Sequence, residues 1–213
     1  MTDTSPTDPM PASSTPRVPP LAPADWPPTM REALGAIRPA EPRHPFPQTE
    51  GRPKGLNVLG TFAHHPTLAK AYNTFNGHIL FTTTLELRER ELLVLRVAAV
   101  RRSAYEWAQH VVLAADVGLT DDEVARIAEG PSADGWSPVD RALLQAVDDL
   151  LADARIGEAA WAVLYEAFAT EQLLDAIFTV GAYDALAMAL MSFDVPLDPD
   201  LAGTTPLPPP ANA

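Results

Sequence analysis

Glu106 and His110 are the residues of this sequence whose types and spacing most clearly favour chemistry. They lie four positions apart in the segment SAYEWAQHVV, and Ser103 stands three positions before Glu106. In a helix this spacing places all three side chains on one stripe. A carboxylate one turn before an imidazole can hydrogen-bond it and fix its tautomer. Either group could then transfer a proton near neutral pH.

The same spacing has other interpretations. A Glu-to-His pair four positions apart is common on helix surfaces and contributes only about 0.2–0.5 kcal/mol. Glu106 also completes the Ser-x-x-Glu capping box that Ser103 begins. Two metal ligands on one face are a further possibility, but the chain lacks the Glu-x-x-His repeats of di-iron bundles, and we expect no metal. The neighbours Tyr105, Trp107 and Val111 are apolar or aromatic. They indicate an enclosed stripe and so favour a functional role, because buried charged pairs are costly.

Two further residues are candidates for binding a substrate. His78 interrupts an otherwise apolar helical pattern, which is typical of a core or cavity-lining histidine. Arg96 could hold a substrate carboxylate through charge-assisted hydrogen bonds. In an acidic protein, however, an arginine on a helix commonly pairs with Asp or Glu, and the sequence leaves both interpretations open.

Composition excludes several classes of function. The formal net charge is −13 and there is no dense Lys/Arg run, so nucleic acid is not an expected partner. The chain has no cysteine, which excludes disulfides, thiolate metal sites and thiol redox chemistry. The N-terminus lacks the basic start and apolar stretch of a secretory signal, and we recognise no apolar run of 18 residues. We therefore expect a soluble cytoplasmic protein without a membrane partner.

Proline placement divides the chain into three parts. Of the 23 prolines, all but three lie at or before residue 53 or at or after residue 196, and proline breaks helix interiors. Residues 1–52 are predicted to be a flexible, Pro-rich segment with a short helix at 26–37. Residues 53–198 are predicted to form the folded domain, and residues 199–213 a flexible tail.

The folded part is predicted to be all-α, a compact bundle of about six to eight helices. Apolar residues repeat at the helical period, and capping residues or glycines bound the segments, as at Ser137-Pro138 and Gly118. The predicted helices cover residues 66–80, 85–102, 104–117, 121–129, 138–154, 157–169 and 170–193.

This order of helices resembles the carboxymuconolactone decarboxylase and alkylhydroperoxidase D-like superfamily. The resemblance covers residues 56–198. Its most specific parts are Arg90-Glu91-Leu92, Leu95-Arg96, Tyr105 to His110, Ala114, Gly118-Leu119 and Glu123-Val124. It implies an AhpD-like helical bundle that assembles as a homo-oligomer, a trimer or a hexamer. It also implies a role for Glu91, whose position resembles that of a relay glutamate in the peroxidase branch.

The peroxidase branch carries Cys-x-x-Cys, followed four residues later by a histidine. Aligning that histidine with His110 places Ser103 and Glu106 at the two cysteine positions. A hydroxyl and a carboxylate cannot form a disulfide, so this resemblance does not extend to thiol peroxidase (peroxiredoxin) turnover.

The decarboxylase branch implies a cofactor-free lyase or isomerase acting on a small acidic or lactone molecule. Loss of CO₂ would leave a dienolate, which His110, oriented by Glu106, would protonate. Tyr105 or an arginine would hold the oxyanion, and Ser103 would contact the substrate. The alternatives are a non-catalytic, ligand-binding helical oligomer and a peroxide-handling protein that uses a metal or an external thiol.

Overall fold

The computed structural model describes residues 15–46, 52–201 and 203–209. Within them the chain forms nine α-helices and no strand, so the predicted all-α fold is confirmed. The remaining residues of the predicted terminal segments lie outside the described ranges. The helices are α1 (Met30–Gly35), α2 (Leu56–Phe62), α3 (Pro66–Phe81), α4 (Leu87–Arg101), α5 (Ala104–Asp116), α6 (Asp121–Glu129), α7 (Pro138–Asp153), α8 (Glu158–Ala167) and α9 (Thr170–Ser192).

Capping residues place most of these boundaries where the sequence predicts them. The Ser137 hydroxyl accepts a hydrogen bond from Asp140 N at the start of α7, and Thr120 and Glu123 form a reciprocal capping box at α6. Helix α4 begins two residues later than predicted, because the Glu89 carboxylate accepts a hydrogen bond from Glu86 N. Helix α2 was not predicted.

Helix α4 is the centre of the bundle and packs against α5, α6, α7 and α9. Its residues Leu92, Leu93 and Leu95 are completely buried. Because other helices pack around α4, some polar side chains near its start are also buried. Helix α5 follows α4 after a short turn and packs against it, so the two helices bring their side chains into one interior.

Residues 15–46 form an N-terminal strap that lies against α2 and α3. Met30 and Ala33 of the strap are buried in a small second core. The strap approaches both helices at glycines, since a Cβ atom on Gly60 would lie 2.4 Å from Leu21 O and one on Gly77 would lie 2.5 Å from Ile37 O. We expected this part of the chain to be flexible outside residues 26–37. The described residues instead make close backbone contacts with the bundle.

Helix α9 corrects the expectation that the chain has no long apolar run. It is long and apolar enough to cross a membrane, but half of its apolar stretch is buried within the fold. It packs against α3, α4, α7 and α8, as expected of a core helix in a soluble protein. The short segment after it returns to α5, where Trp107 Nε1 donates a hydrogen bond to Thr205 O at 3.1 Å.

Candidate functional site

A cavity of about 380 Å³ lies between the strap, α2, α3, α5 and α9. This volume suits a small molecule. Most of its wall is apolar, formed by residues such as Ile37, Val58, Leu59, Phe62, Leu113 and Leu186. Glu106 and His110 both line it, so the two residues singled out by their spacing face one cavity.

His110 is held by a carboxylate from the neighbouring helix. Its Nδ1 atom lies 2.7 Å from Oε2 of Glu91, a residue that is completely buried. The other oxygen of Glu91 accepts hydrogen bonds from Nε and Nη2 of Arg90 at 3.1 and 2.7 Å. Burial opposes ionisation of Glu91, but the charges and hydrogen bonds of His110 and Arg90 together hold its pKa below the usual value.

This arrangement determines which nitrogen of His110 can react. Because Glu91 is ionised, Nδ1 of His110 must carry the proton and donate it in the hydrogen bond. The Nε2 atom makes no hydrogen bond to any residue that the structure describes, and the ring borders the cavity. A neutral His110 therefore presents a basic lone pair to whatever the cavity holds.

Glu106 does not form the two interactions that the sequence predicts for it. Neither of its oxygens has a hydrogen-bond partner in the described chain, and the same is true of Ser103 Oγ. Ser103 is the residue before α5, but its side chain makes no capping bond. The predicted capping box and the predicted pairing of Glu106 with His110 are therefore wrong. The carboxylate that orients His110 is Glu91.

The surroundings of Glu106 favour its protonated form. The side chain is buried, with 2% of the residue exposed, and burial raises its pKa to about 8. The dipole of the nearby Ser103 hydroxyl offsets part of this effect, and the charge of Asp184 adds to it. At pH 7 most molecules carry a neutral carboxylic acid here, which can donate a hydrogen bond.

Three other buried polar groups on the cavity wall also lack partners among the described residues. They are the Tyr72 hydroxyl, Oδ1 of Asn76 and Nε2 of Gln109. Each unsatisfied buried polar group costs about 1–3 kcal/mol, so any molecule that fills this cavity, water or ligand, would be stabilised by offering them hydrogen bonds. Sequence reasoning missed all three. A signal was available, since Tyr72 and Asn76 are one turn apart on α3 and Gln109 adjoins His110.

The structure places the other predicted substrate-binding residues in different surroundings. Tyr105 lines the cavity, but its hydroxyl donates a hydrogen bond to Asp198. His78 lies outside the cavity wall, with Nε2 2.7 Å from Oδ1 of Asp175. Arg96 also lies elsewhere and makes a bidentate pair with Asp148 at 2.7 and 2.8 Å. The cavity wall therefore includes Glu106, His110 and Tyr105, and Glu91 lies behind it, bonded to His110. Ser103 is buried but is not on the wall, and His78 and Arg96 lie elsewhere.

Residues 66–149 match the family model described as the carboxymuconolactone decarboxylase family. This stretch contains Glu91, Glu106 and His110. No curated protein matches the chain.

Several solved structures share the fold. One is the alkylhydroperoxidase AhpD core of an uncharacterized peroxidase-related protein from Ralstonia eutropha JMP134, which is 20% identical, with a TM-score of 0.61 over 75% of this chain and 94% of that one. Another is the debrominase Bmp8, which is 13% identical, with a TM-score of 0.66 over 87% and 94%. A cysteine-to-alanine variant of Bmp8 in complex with 2,3,4-tribromopyrrole is 15% identical, with a TM-score of 0.64 over 87% and 93%.

Proposed function

We propose that this chain, whose residues 66–149 match the carboxymuconolactone decarboxylase family and whose fold is shared with AhpD-like proteins, is a cofactor-free lyase or isomerase. Its substrate is a small lactone or acidic molecule held in the cavity, and its reaction is a proton transfer. The observation that carries this proposal is the unpartnered carboxyl of Glu106 beside His110, whose Nδ1 is bound to Glu91.

His110 is the base in this proposal. Its Nε2 atom takes a proton from a carbon next to the substrate carbonyl, and the ionised Glu91 stabilises the imidazolium that forms. Since Glu91 also carries the hydrogen bonds of Arg90, it stays in place while the charge of the imidazole changes. Glu91 is thus a positioning residue.

Glu106 is the acid. Its neutral carboxyl donates a hydrogen bond to the substrate carbonyl and stabilises the enolate oxygen that develops. A carboxylic acid that donates a hydrogen bond, set beside an imidazole that can accept a proton, is a usual basis of acid–base catalysis at neutral pH. In a lyase reaction, loss of CO₂ yields the same enolate, and a protonated His110 then delivers a proton to carbon.

The fold is shared with peroxidase-related proteins and a debrominase, but a shared fold does not determine the reaction. It contains no cysteine, so a thiol of its own cannot take part in the reaction. The alternative that the cavity supports is a ligand-binding protein without turnover, because unpartnered polar groups would hold a ligand whether or not it reacts.

Proton NMR in D₂O separates catalysis from binding. The purified protein would be mixed with β,γ-unsaturated lactones and with lactones that carry a carboxylate, and deuterium uptake and CO₂ release would be followed. We expect one of these reactions with the parent, and its loss in Glu106→Gln and in His110→Gln. Glu171→Gln, at the exposed start of α9, is the matched control and should keep the activity. Binding of these lactones without deuterium uptake or CO₂ release would leave the ligand-binding alternative.

A further inference from the structure

The buried charged groups behind the cavity wall are already paired. Glu91 is neutralised by Arg90 and also accepts the hydrogen bond of Nδ1 of His110, and a third contact of Arg90 goes to the Leu80 carbonyl at 2.8 Å. The other arginines of α4 pair with acidic residues: Arg88 with Asp140 and Glu123, Arg96 with Asp148 and Arg101 with Asp184. These guanidinium groups are therefore not available to a substrate carboxylate.

Lys54 is the lysine on the cavity wall, and it is exposed to solvent. Exposed ion pairs contribute little, because water already solvates both charges. A carboxylate that moves into an apolar cavity loses that solvation and needs a buried partner to recover it. The apolar wall of the cavity and the neutral acid at Glu106 supply none.

The unpartnered groups indicate what the ligand must offer. The carboxyl of Glu106 and the Tyr72 hydroxyl can donate hydrogen bonds, and the amide of Gln109 adds another donor. These groups suit a carbonyl or ether oxygen. Apolar side chains such as Ile37, Phe62 and Leu186 line the rest of the cavity and would contact the remainder of the ligand.

From this distribution we infer that the ligand is an uncharged, carbonyl-bearing ring compound, and that the reaction is a double-bond isomerisation rather than a decarboxylation. This inference rests on the proposed function and narrows it. An uncharged lactone has no carboxylate to lose, so a proton shift remains as the reaction that His110 and Glu106 can carry out.

The proposed step balances without a co-reactant. Nε2 of His110 takes the proton from the carbon between the carbonyl and the double bond. The electron pair of that C–H bond forms a new C=C bond, and the charge moves to the carbonyl oxygen, which accepts the hydrogen bond of Glu106. The proton then returns from Nε2 to the γ-carbon, the double bond shifts into conjugation, and both side chains regain their starting states.

The test uses a matched pair of probes, 5-phenyl-2(3H)-furanone and its 4-carboxyphenyl analogue, at pH 7. Binding would be measured by calorimetry, and isomerisation to the conjugated 2(5H)-furanones by NMR in D₂O. We expect the neutral probe to bind at least about tenfold more tightly and to isomerise. The tenfold factor is the free-energy cost of leaving one buried polar group unpaired, converted to a ratio of dissociation constants.

Variants of Glu106 provide a second readout. Glu106→Gln keeps a neutral donor and should bind the neutral probe within a few-fold of the parent, without isomerisation. Glu106→Leu loses the donor and should bind it about tenfold more weakly.

Equal or tighter binding of the carboxylated probe, or no binding of the neutral one, would overturn the assignment of the ligand. Release of CO₂ from a carboxylated lactone would also overturn it, but would leave the proposed lyase function standing. Binding of the neutral probe with neither isomerisation nor deuterium uptake would overturn the isomerase assignment and the proposed function, while the ligand class would stand.

Discussion

Nδ1 of His110 lies 2.7 Å from Oε2 of Glu91 on the preceding helix, although Glu106 stands one turn away on the helix of His110 itself. The buried network thus runs from Arg90 through Glu91 to His110, and it leaves Glu106 neutral and free. In the proposed mechanism the two carboxylates therefore have different roles: Glu91 positions the base, and Glu106 contacts the ligand.

Replacing Glu91 should damage both stability and activity. Glu91→Ala strands the buried guanidinium of Arg90 and frees the ring of His110, and we expect a loss of about 3–5 kcal/mol in the free energy of unfolding. Urea denaturation measures it, with Glu171→Ala as the exposed control. Glu91→Gln keeps the side-chain shape and should stay better folded, while kcat falls because its amide no longer stabilises the imidazolium. Normal kcat in a folded Glu91→Gln protein would contradict the positioning role.

Replacing Glu106 should have the opposite effect on stability. Since neither of its oxygens has a partner among the described residues, Glu106→Leu removes an unsatisfied buried group and should stabilise the protein by about 1–3 kcal/mol. Activity should disappear in the same variant, as is common when a site is strained for function. Thermal unfolding and the NMR assay, run on the same preparation, would check this. A destabilised variant would show that Glu106 has a structural role.

Stability should fall as the pH rises from about 5 to about 8. Burial raises the pKa of Glu106 from 4.5 to about 8, so between these values the folded state binds one more proton than the unfolded chain. The expected slope from this group is up to about 1.4 kcal/mol per pH unit. Urea titrations of the parent and Glu106→Gln across this range isolate it, because the variant lacks the titrating group. Activity should also fall above pH 8, as the acid ionises. Parallel pH curves for the two proteins would argue against the raised pKa.

Gly77 should be required for the strap to pack closely against α3. Alanine normally stabilises a helix interior by about 0.5–1 kcal/mol relative to glycine. In Gly77→Ala, however, the new methyl group would meet Ile37 O at 2.5 Å, and we expect a net destabilisation and weaker ligand binding. Gly35→Ala is the matched control, since nothing lies within 4 Å of the added atom. Calorimetry would measure both effects, and equal stability of the two variants would mean that the strap moves freely.

Assembly into a homo-oligomer, implied by the family, remains a proposal. Helix α9 leaves Leu174, Phe178, Met188 and Met191 between 46% and 56% exposed, an apolar surface that a second copy would cover. Light scattering should give a multiple of the 22.9 kDa chain mass. Phe178→Glu should shift the protein toward the monomer, and Phe178→Leu should not. A parent that is monomeric at micromolar concentration would refute the proposal.

The sequence predicted most helices because their signals are local. The proline at the start of α3 and the Ser-Pro pair at the start of α7 act within one turn, and so does the spacing of Glu106 and His110. Side-chain contacts between different helices could not be predicted in this way. Whether His110 contacts Glu106 or Glu91, and whether Arg96 faces a ligand or Asp148, depends on how α4 packs against α5 and α7. No local pattern encodes that packing. The short helix of the strap was predicted, at 26–37 against the observed Met30–Gly35. The attachment of the strap was missed for a related reason, since it depends on two glycines of the helices that the strap covers.

Residues 66–149, which match the family model, contain Glu106 and His110, whereas Leu34 and Ile37 of the cavity wall come from the strap, ahead of that stretch. Part of the surface that contacts a ligand is thus encoded outside the stretch that carries the proposed acid and base. A strap with different side chains could admit a different molecule while His110 and Glu106 remained unchanged. Exchanging straps between related proteins should therefore exchange their ligand preferences without a substitution among the reacting groups.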